Sequence, residues 1–445
     1  MISVSGIRGI FGTDLHPENL TRFAAAFGSA KKGGTIVIGR DTRITGPVCE
    51  DLVAATLQSV GCNVIRLGVV PTPTVAMGVL RHEADGGIVI SASHNPAEWN
   101  ALKLLNEKSE FLDDAQGREV IRNVEQGEFT YCSYDALGKQ MSDESMGEHH
   151  IRKILELPYI QPEIISKRRF KVAVDAVNGA GSDLIPELLR RLGVDDVVEL
   201  YCTPDGYFPH NPEPLPEHLN AIRQTVQQEQ CDLGLVVDPD ADRLALVDEN
   251  GALFGEEYTI AAAMDFYLSA GKGPAVVNLS SSRVNEDVAR QHSVTCYRSA
   301  VGEINVVKEM QNRAAVIGGE GNGGVINPDL HYGRDALVGA AMILQHLANL
   351  GISASEYRGR LPHYEISKNK IQLDGLNPNE VISRLEQQFS QYQLSAIDGL
   401  KIDFDDGWVH LRKSNTEPIL RVYAEARSTE RAQELASFVM EEISG

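Results

Sequence analysis

Gly87-Ile88-Val89-Ile90-Ser91-Ala92-Ser93-His94-Asn95-Pro96 runs an apolar segment straight into a hydroxyl-rich loop. A short apolar run of this kind reads as a strand buried on both faces. The hexapeptide after it is poor packing material, but it can hold one serine oxygen in a fixed, exposed place. The arrangement returns twice. Leu233–Val237 leads into Asp238-Pro239-Asp240-Ala241-Asp242-Arg243, and Ala314–Ile317 leads into the glycine-rich stretch 318–324. Around each loop, strand patterns alternate with helix patterns. Thr35–Gly39 and Val64–Leu67 read as strands on either side of a helix from Gly46 to Val60, with Gly61 as its stop. Val172–Val174 and Ala275–Leu279 open the second and third blocks. No fixed-period repeat accompanies this shared plan. Alternation of this type argues for an α/β class with three related domains. Sites in open α/β sheets form at the carboxyl ends of strands, so three loaded loops can converge on one cleft.

The last part of the chain differs. Pro362 and the polar residues after it read as a linker, and Glu380–Gln393 reads as a helix. Leu400–Phe404 and Trp408–Arg412 are strands joined by the hairpin signal Asp405-Asp406-Gly407. Leu420–Ala424 is a further strand, and a last helix starts after Ser428. The expected architecture is three topologically related α/β domains plus a smaller C-terminal α+β domain around a central cleft. The expected boundaries are 1–153, 154–252, 253–363 and 364–445.

A chain of 445 residues is too long for one core. Its net charge of −21 argues against nucleic acid and against an anionic membrane surface as partners. Six scattered cysteines without a C-x-x-C pair speak for reduced thiols and a cytoplasmic enzyme. The first residues have no signal-peptide pattern, and no run approaches a membrane span.

Asp238, Asp240 and Asp242 form a D-x-D-x-D array. Alternate residues of an extended segment point the same way, so three carboxylates converge and repel unless a hard divalent cation sits among them. A solvated acidic turn is the plain alternative. An EF-hand loop is excluded, because its sixth position would be Arg243 instead of glycine and the flanks are strands. The array also resembles the haloacid-dehalogenase phosphatases, with Asp238 as nucleophile, but Asp242 stands where that pattern has Thr or Val. Ser414-Asn415-Thr416, with Arg412, Lys413 and Arg421 nearby, has the parts of a phosphate clamp or of an ordinary turn. Glu320 and Asn322, in a loop whose glycines let backbone approach a ligand, have the chemistry to bind a polyol. Arg8, Arg40 and Arg43 each read as surface arginines. Lys103 lies ten residues past Ser93 and is either folded over it or exposed. Ser93 lacks G-x-S-x-G, and His94 reads as structural more readily than as a base.

Taken together, these motifs resemble the α-D-phosphohexomutase family. Ser91–Pro96 looks like its phosphoserine loop, Asp238–Arg243 its metal loop, Gly319–Gly324 its sugar-binding loop and Arg412–Pro418, with Arg421, its phosphate-binding loop. Gly6-Ile7-Arg8-Gly9 resembles its N-terminal loop. There are departures. Pro239 replaces a glycine of D-G-D-A-D-R, Asn100-Ala101-Leu102-Lys103 keeps the lysine of N-G-x-K but loses its glycine, and Glu320-Gly321-Asn322-Gly323-Gly324 replaces E-x-S-G-H. The last form is similar to the phosphoglucosamine and phosphomannose mutases. The resemblance implies one Mg2+ held by Ser93, Asp238, Asp240 and Asp242. It implies phosphorylated Ser93 and a hexose bisphosphate as intermediate and activator. Catalytic roles fall to Ser93, Lys103, Arg8 and His94. Substrate binding falls to Glu320, Asn322, Arg412, Ser414, Asn415, Thr416, Arg421 and Arg243. The implied partner is a phosphosugar, bound by a monomer or homodimer, with phosphoglucosamine favoured over mannose or glucose phosphate. A Mg-dependent sugar phosphatase and a non-catalytic sugar-phosphate binder are the competing classes.

Overall fold

A computed structural model describes residues 2–3, 6–373, 377–413 and 419–444. Its strands form four sheets. The first contains β1 (Ile2–Ser3), β2 (Gly6–Ile10), β3 (Thr35–Arg40), β4 (Asn63–Val69), β5 (Gly86–Ile90), β6 (Trp99–Leu105) and β7 (Gln140–Ser142), in the order β1-β2-β6-β5-β3-β4-β7. The second contains β8 (Lys171–Asp175), β9 (Asp196–Leu200), β10 (Leu233–Val237) and β11 (Leu244–Asp248), in the order β11-β10-β8-β9. The third contains β12 (Ala275–Asn278), β13 (Cys296–Ser299), β14 (Ile317–Glu320) and β15 (Gly324–Ile326), in the order β13-β12-β14-β15. The last is antiparallel: β16 (Glu365–Gln372), β17 (Gln393–Ser395), β18 (Leu400–Phe404), β19 (Gly407–Lys413) and β20 (Ile419–Ala426), in the order β16-β20-β19-β18-β17.

The first three sheets share one unit. Three parallel strands linked by helices are followed by a fourth that turns back antiparallel, and the spatial order is second, first, third, fourth. In the first sheet β1, β2 and β7 extend that unit at its edges. Each chemically loaded loop is the reversal from the third strand to the fourth: 91–98, 238–243 and 321–323. A tight reversal costs backbone strain. Each loop accordingly holds one residue at positive φ: Ser93 at +50°, Ala241 at +48° and Gly323 at +86°.

The second and third domains share one apolar core, whereas the first and fourth keep their own. At its centre lies the helix Ala336–Leu350, apolar all round and buried from Ala336 to Ala348, as a core helix should be. Asp335 caps it, with Oδ1 accepting from Leu337 N (2.8 Å) and Val338 N (3.3 Å). Oδ2 receives His150 Nε2 at 2.9 Å and His331 Nε2 at 3.3 Å, and His150 Nδ1 lies 2.9 Å from Thr74 Oγ1. One buried carboxylate thereby ties together the three α/β domains.

Several expectations change. Ala314–Ile317 is not a strand: Ala314, at φ +50°, ends the helix Glu303–Arg313, and the strand begins at Ile317. The segment after Pro362 is not a linker but the edge strand β16, whose alternating exposure suits a strand paired on one side only. The helix read over 380–393 ends at Gln388, and Gln393–Ser395 pairs as β17. Arg43 is not a surface residue; it is among the largest fully buried side chains. No single helix among the described residues is long and apolar enough to cross a membrane.

Asp335→Ala removes the cap and strands two histidine donors, a loss of about 2–4 kcal/mol in urea unfolding. The hydrogen bonds and charge of His150 and His331 hold the Asp335 carboxyl well below the usual carboxylate range, against its burial. A depressed folded-state pKa contributes stability that is present above the unfolded value and lost on acidification. Wild-type stability therefore falls more steeply below about pH 4 than that of Asp335→Asn.

Candidate active site

Arg43 holds the serine loop at four carbonyls. Arg43 donates from NH2 to Ser93 O (2.6 Å) and Asn95 O (2.6 Å), and from NH1 to Pro96 O (2.5 Å) and Trp99 O (3.0 Å). Its Nε pairs with Asp41 Oδ2 at 3.0 Å, and Phe208 stacks 5.0 Å from the guanidinium. Such a five-donor fork is what a loop without regular hydrogen bonds needs. Ser91 Oγ accepts from Ser93 N at 2.9 Å. Ser93 is a non-glycine residue held in the left-handed region, where strain of this kind marks functional positions.

Ser93 Oγ donates to Asp238 Oδ2 at 2.6 Å across the boundary between the first and second domains. The aspartate loop is not the extended segment expected. It is a turn closed by Ala241 N on Asp238 O (2.9 Å), and the turn brings the three aspartates together. All three are fully buried, with carboxylate oxygens within 4.8 Å of one another. In each, one oxygen is taken up by the protein. Asp238 Oδ1 accepts from the N–H groups of Asp242 and Arg243, both at 3.1 Å. Asp240 Oδ2 accepts from Lys103 Nζ (2.5 Å) and from Thr72 Oγ1. Asp242 Oδ2 accepts from Arg334 NH2 at 2.7 Å. The other oxygens differ in kind: Asp238 Oδ2 faces Ser93, while Asp240 Oδ1 and Asp242 Oδ1 are buried without a hydrogen-bond partner. A buried carboxylate oxygen left bare in this way fits a hard cation. Burial and the neighbouring Asp242 and Asp240 push the Asp238 carboxyl well above its ordinary range, while Lys103 contributes to holding Asp240 low against burial.

Lys103 is not exposed, and its Nζ reaches the aspartate cluster that Ser93 Oγ also contacts. It lies on β6, opposite Gly6 of β2, with Arg8 of β2 opposite Ala101. Residues 101 and 103 of a strand share a face, so Arg8 and Lys103 reach the same side of the sheet. Arg8 NH1 donates to Asn95 Oδ1 at 2.9 Å. His94 Nδ1 lies 3.3 Å from Ser93 Oγ. Burial first, then Arg243, Arg8 and Arg334, push the His94 imidazole down to about 2, so it is neutral at ordinary pH.

A cleft of about 320 Å³ opens beside these groups, and His94, Arg243, Glu320, Asn322, Arg412 and Arg421 line it. Glu320 Oε1 receives Asn278 Nδ2 (2.8 Å) and Gly302 N (3.1 Å). Asn322 Oδ1 is buried without a hydrogen-bond partner. Arg412 and Arg421 stand directly opposite each other on β19 and β20, and Arg412 Nε pairs with Asp398 at 2.8 Å. Ser414, Asn415 and Thr416 lie outside the described residues. Arg43 and Arg334 were missed as site residues. Arg43 follows a strand end in Arg40-Asp41-Thr42-Arg43, a position that could have flagged it, whereas Arg334 carries no motif.

Models of the phosphoglucomutase/phosphomannomutase family match along the chain: α/β/α domain I over residues 2–131, domain II over 148–251, domain III over 254–364 and the C-terminal domain over 375–442. A phosphoglucomutase/phosphomannomutase of Thermococcus kodakarensis is 36% identical over 438 residues, covering 96% of this chain and 95% of its own. A probable phosphoglucosamine mutase of Methanopyrus kandleri is 35% identical over 436 residues, covering 97% and 95%. Among solved structures, a phosphoglucomutase/phosphomannomutase family protein of Burkholderia thailandensis superposes with a TM-score of 0.86 at 25% identity, covering 100% of this chain and 98% of that one.

Arg43→Met strands four loop carbonyls and the buried Asp41 charge. Urea unfolding should show a loss of about 3–5 kcal/mol, and turnover should fall with the disordered loop.

Proposed function

The chain belongs to the phosphoglucomutase/phosphomannomutase family, whose four domains it carries in order, and on that premise we propose that Ser93 is its phosphoryl carrier and glucosamine phosphate its preferred substrate. It is a phosphohexomutase, an enzyme that moves phosphate between the 6- and 1-positions of a hexose. The observation that carries the Ser93 assignment is the 2.6 Å contact of Ser93 Oγ with Asp238, at the mouth of the aspartate cluster.

Phosphoserine 93 transfers its phosphoryl group to a free hydroxyl of a hexose monophosphate. The bond from phosphorus to Ser93 Oγ breaks, one to the sugar oxygen forms, and the hydroxyl proton leaves to a base. Lys103, buried on the same side of the sheet as Arg8, is the residue we assign to handle that proton; His94, pushed down to about 2, is too weak a base for it. The hexose bisphosphate then turns over and returns its other phosphate to Ser93. Mg2+, held by Asp238, Asp240, Asp242 and an oxygen on Ser93, would neutralise charge on the transferring group. Arg8, Lys103 and Arg243 surround the same point with positive charge. Glu320 and Asn322 accept hydrogen bonds from the sugar. Arg412 and Arg421, which stand opposite each other on β19 and β20 and line the cleft, hold the phosphate that is not transferring. Ser414, Asn415 and Thr416 are assigned to the same phosphate from the sequence motif alone.

Glucosamine phosphate is favoured by the Methanopyrus kandleri relative and by several further archaeal relatives of the same name at 31–33% identity. Mannose or glucose phosphate is the second reading, favoured by the Thermococcus kodakarensis relative. A phosphatase with Asp238 as nucleophile is disfavoured, because Asp242 stands where that pattern has Thr or Val and the relatives are mutases.

Two measurements test this. With labelled hexose bisphosphate the label should appear on Ser93 and not on an aspartate, and Ser93→Ala should lose about 10³-fold or more in turnover; near-normal turnover overturns the carrier role. In coupled assays run side by side, glucosamine 6-phosphate should give a higher kcat/KM than the mannose and glucose phosphates, and the reverse order overturns the substrate assignment.

A further inference from the structure

Glu320, the last residue of β14, and Asp242, in the aspartate loop, belong to different domains, and one side chain joins them. Arg334, 9% exposed, donates from NH2 to Asp242 Oδ2 (2.7 Å), from NH1 to Glu320 Oε2 (3.2 Å) and from Nε to Glu303 Oε2 (2.8 Å). A planar guanidinium whose three nitrogens each face a carboxylate has no rotational freedom left. On the way to these partners its stem lies flat over Gly324. A Cβ added there would sit 2.3 Å from Arg334 Cδ and 2.9 Å from Cγ, and 3.2 Å from Asn322 Oδ1. The stem cannot swing aside to make room, because its head is held at three points.

We infer that Arg334 is a positioning residue that fixes the sugar loop relative to the metal loop, and that residue 324 is glycine because the Arg334 stem fills the space a side chain would need. The inference rests on the reading of Glu320 and Asn322 as sugar-binding groups. Glu320 is held on both oxygens, by Asn278 and Gly302 on Oε1 and by Arg334 on Oε2, so its plane is set before the sugar arrives. Asp242 is held by the same guanidinium. The distance between the sugar hydroxyls and the transferring phosphoryl group is therefore fixed by one rigid fork. Phosphoryl transfer is sensitive to that distance, since a misplacement of about 1 Å costs on the order of 10²-fold in rate. The histidine that the related loop pattern carries at this place has no room beside Arg334.

The test uses the full-length enzyme and four variants: Arg334→Lys, Arg334→Met, Gly324→Ala and the double variant Gly324→Ala/Arg334→Met. Three quantities are read for each: KM for the hexose phosphate with kcat, the Mg2+ dissociation constant by calorimetry, and the melting temperature. Arg334→Met should weaken both hexose phosphate and Mg2+ by about 10–100-fold, as loss of a group that orients metal ligands does. Arg334→Lys, which keeps the charge and loses the fork, should fall between it and wild type. Gly324→Ala should show the same paired weakening without altering any charge, and the double variant should be little worse than Arg334→Met alone. Unchanged KM and Mg2+ affinity in folded Arg334→Lys and Gly324→Ala overturn the inference, and so do losses that multiply in the double variant. If Arg334→Met fails to fold, the lysine and alanine variants decide. Failure of the wild type to isomerise any hexose phosphate overturns the functional reading instead, while the Mg2+ affinities still report on the Arg334–Asp242 contact.

Discussion

Three carboxylates buried within 4.8 Å of one another are the constraint around which this molecule is built. Such a cluster is intolerable without compensation, because burial and mutual repulsion both oppose the charged form. The compensation is drawn from every α/β domain. The first supplies Lys103 and Thr72 to Asp240, the second supplies its own backbone N–H groups to Asp238, and the third supplies Arg334 to Asp242. Backbone bonds reinforce the pattern: Thr72 N reaches Asp240 O at 2.9 Å, Ala336 N reaches Ala241 O at 3.2 Å, and Leu244 N reaches Gly323 O at 3.0 Å. The aspartate loop is thus the surface on which the domains agree, and the cleft exists only where all of them meet it.

The repeated unit explains why the meeting is possible. A strand that turns back antiparallel at the end of a parallel trio places its reversal at the carboxyl end of the sheet, where ligands gather in open α/β folds. Three copies oriented toward one point give three reversals in contact. The three reversals share a geometry but differ in chemistry: one carries a hydroxyl, one carboxylates, one a carboxylate and an amide among glycines.

Much of this was legible from residues alone. Short apolar runs ending in Ser-x-Ser-His and Asp-x-Asp-x-Asp could be read as strand ends bearing chemistry, because hydrophobic runs and polar loops are local signals; the run before Glu-x-Asn is strand only from Ile317. The hairpin at Asp405-Asp406-Gly407 was legible for the same reason. What could not be read is what depends on distant partners. Arg43 and Arg334 look like any loop arginine until the chain folds and brings four carbonyls to one and three carboxylates to the other. The strand Glu365–Gln372 reads as a polar linker because its strand character comes from pairing with β20, not from its own composition. The converging carboxylates were expected from an extended segment, yet a turn through Ala241 at φ +48° gathers them, a conformation that no propensity at alanine announces.

Arg43 carries a last implication. Its grip includes the carbonyl of Ser93 itself, along with those of Asn95, Pro96 and Trp99. An oxygen tied down at its own residue cannot swing on an arm between two ends of a sugar, as carrier groups on flexible tethers do. On the proposal that Ser93 carries the phosphoryl group, the depot is stationary and the cargo must travel. Both ends of the hexose must be brought, in turn, to one fixed point. The rest of the cleft must therefore be forgiving about which way round the sugar lies, while remaining strict about where its reacting oxygen stops.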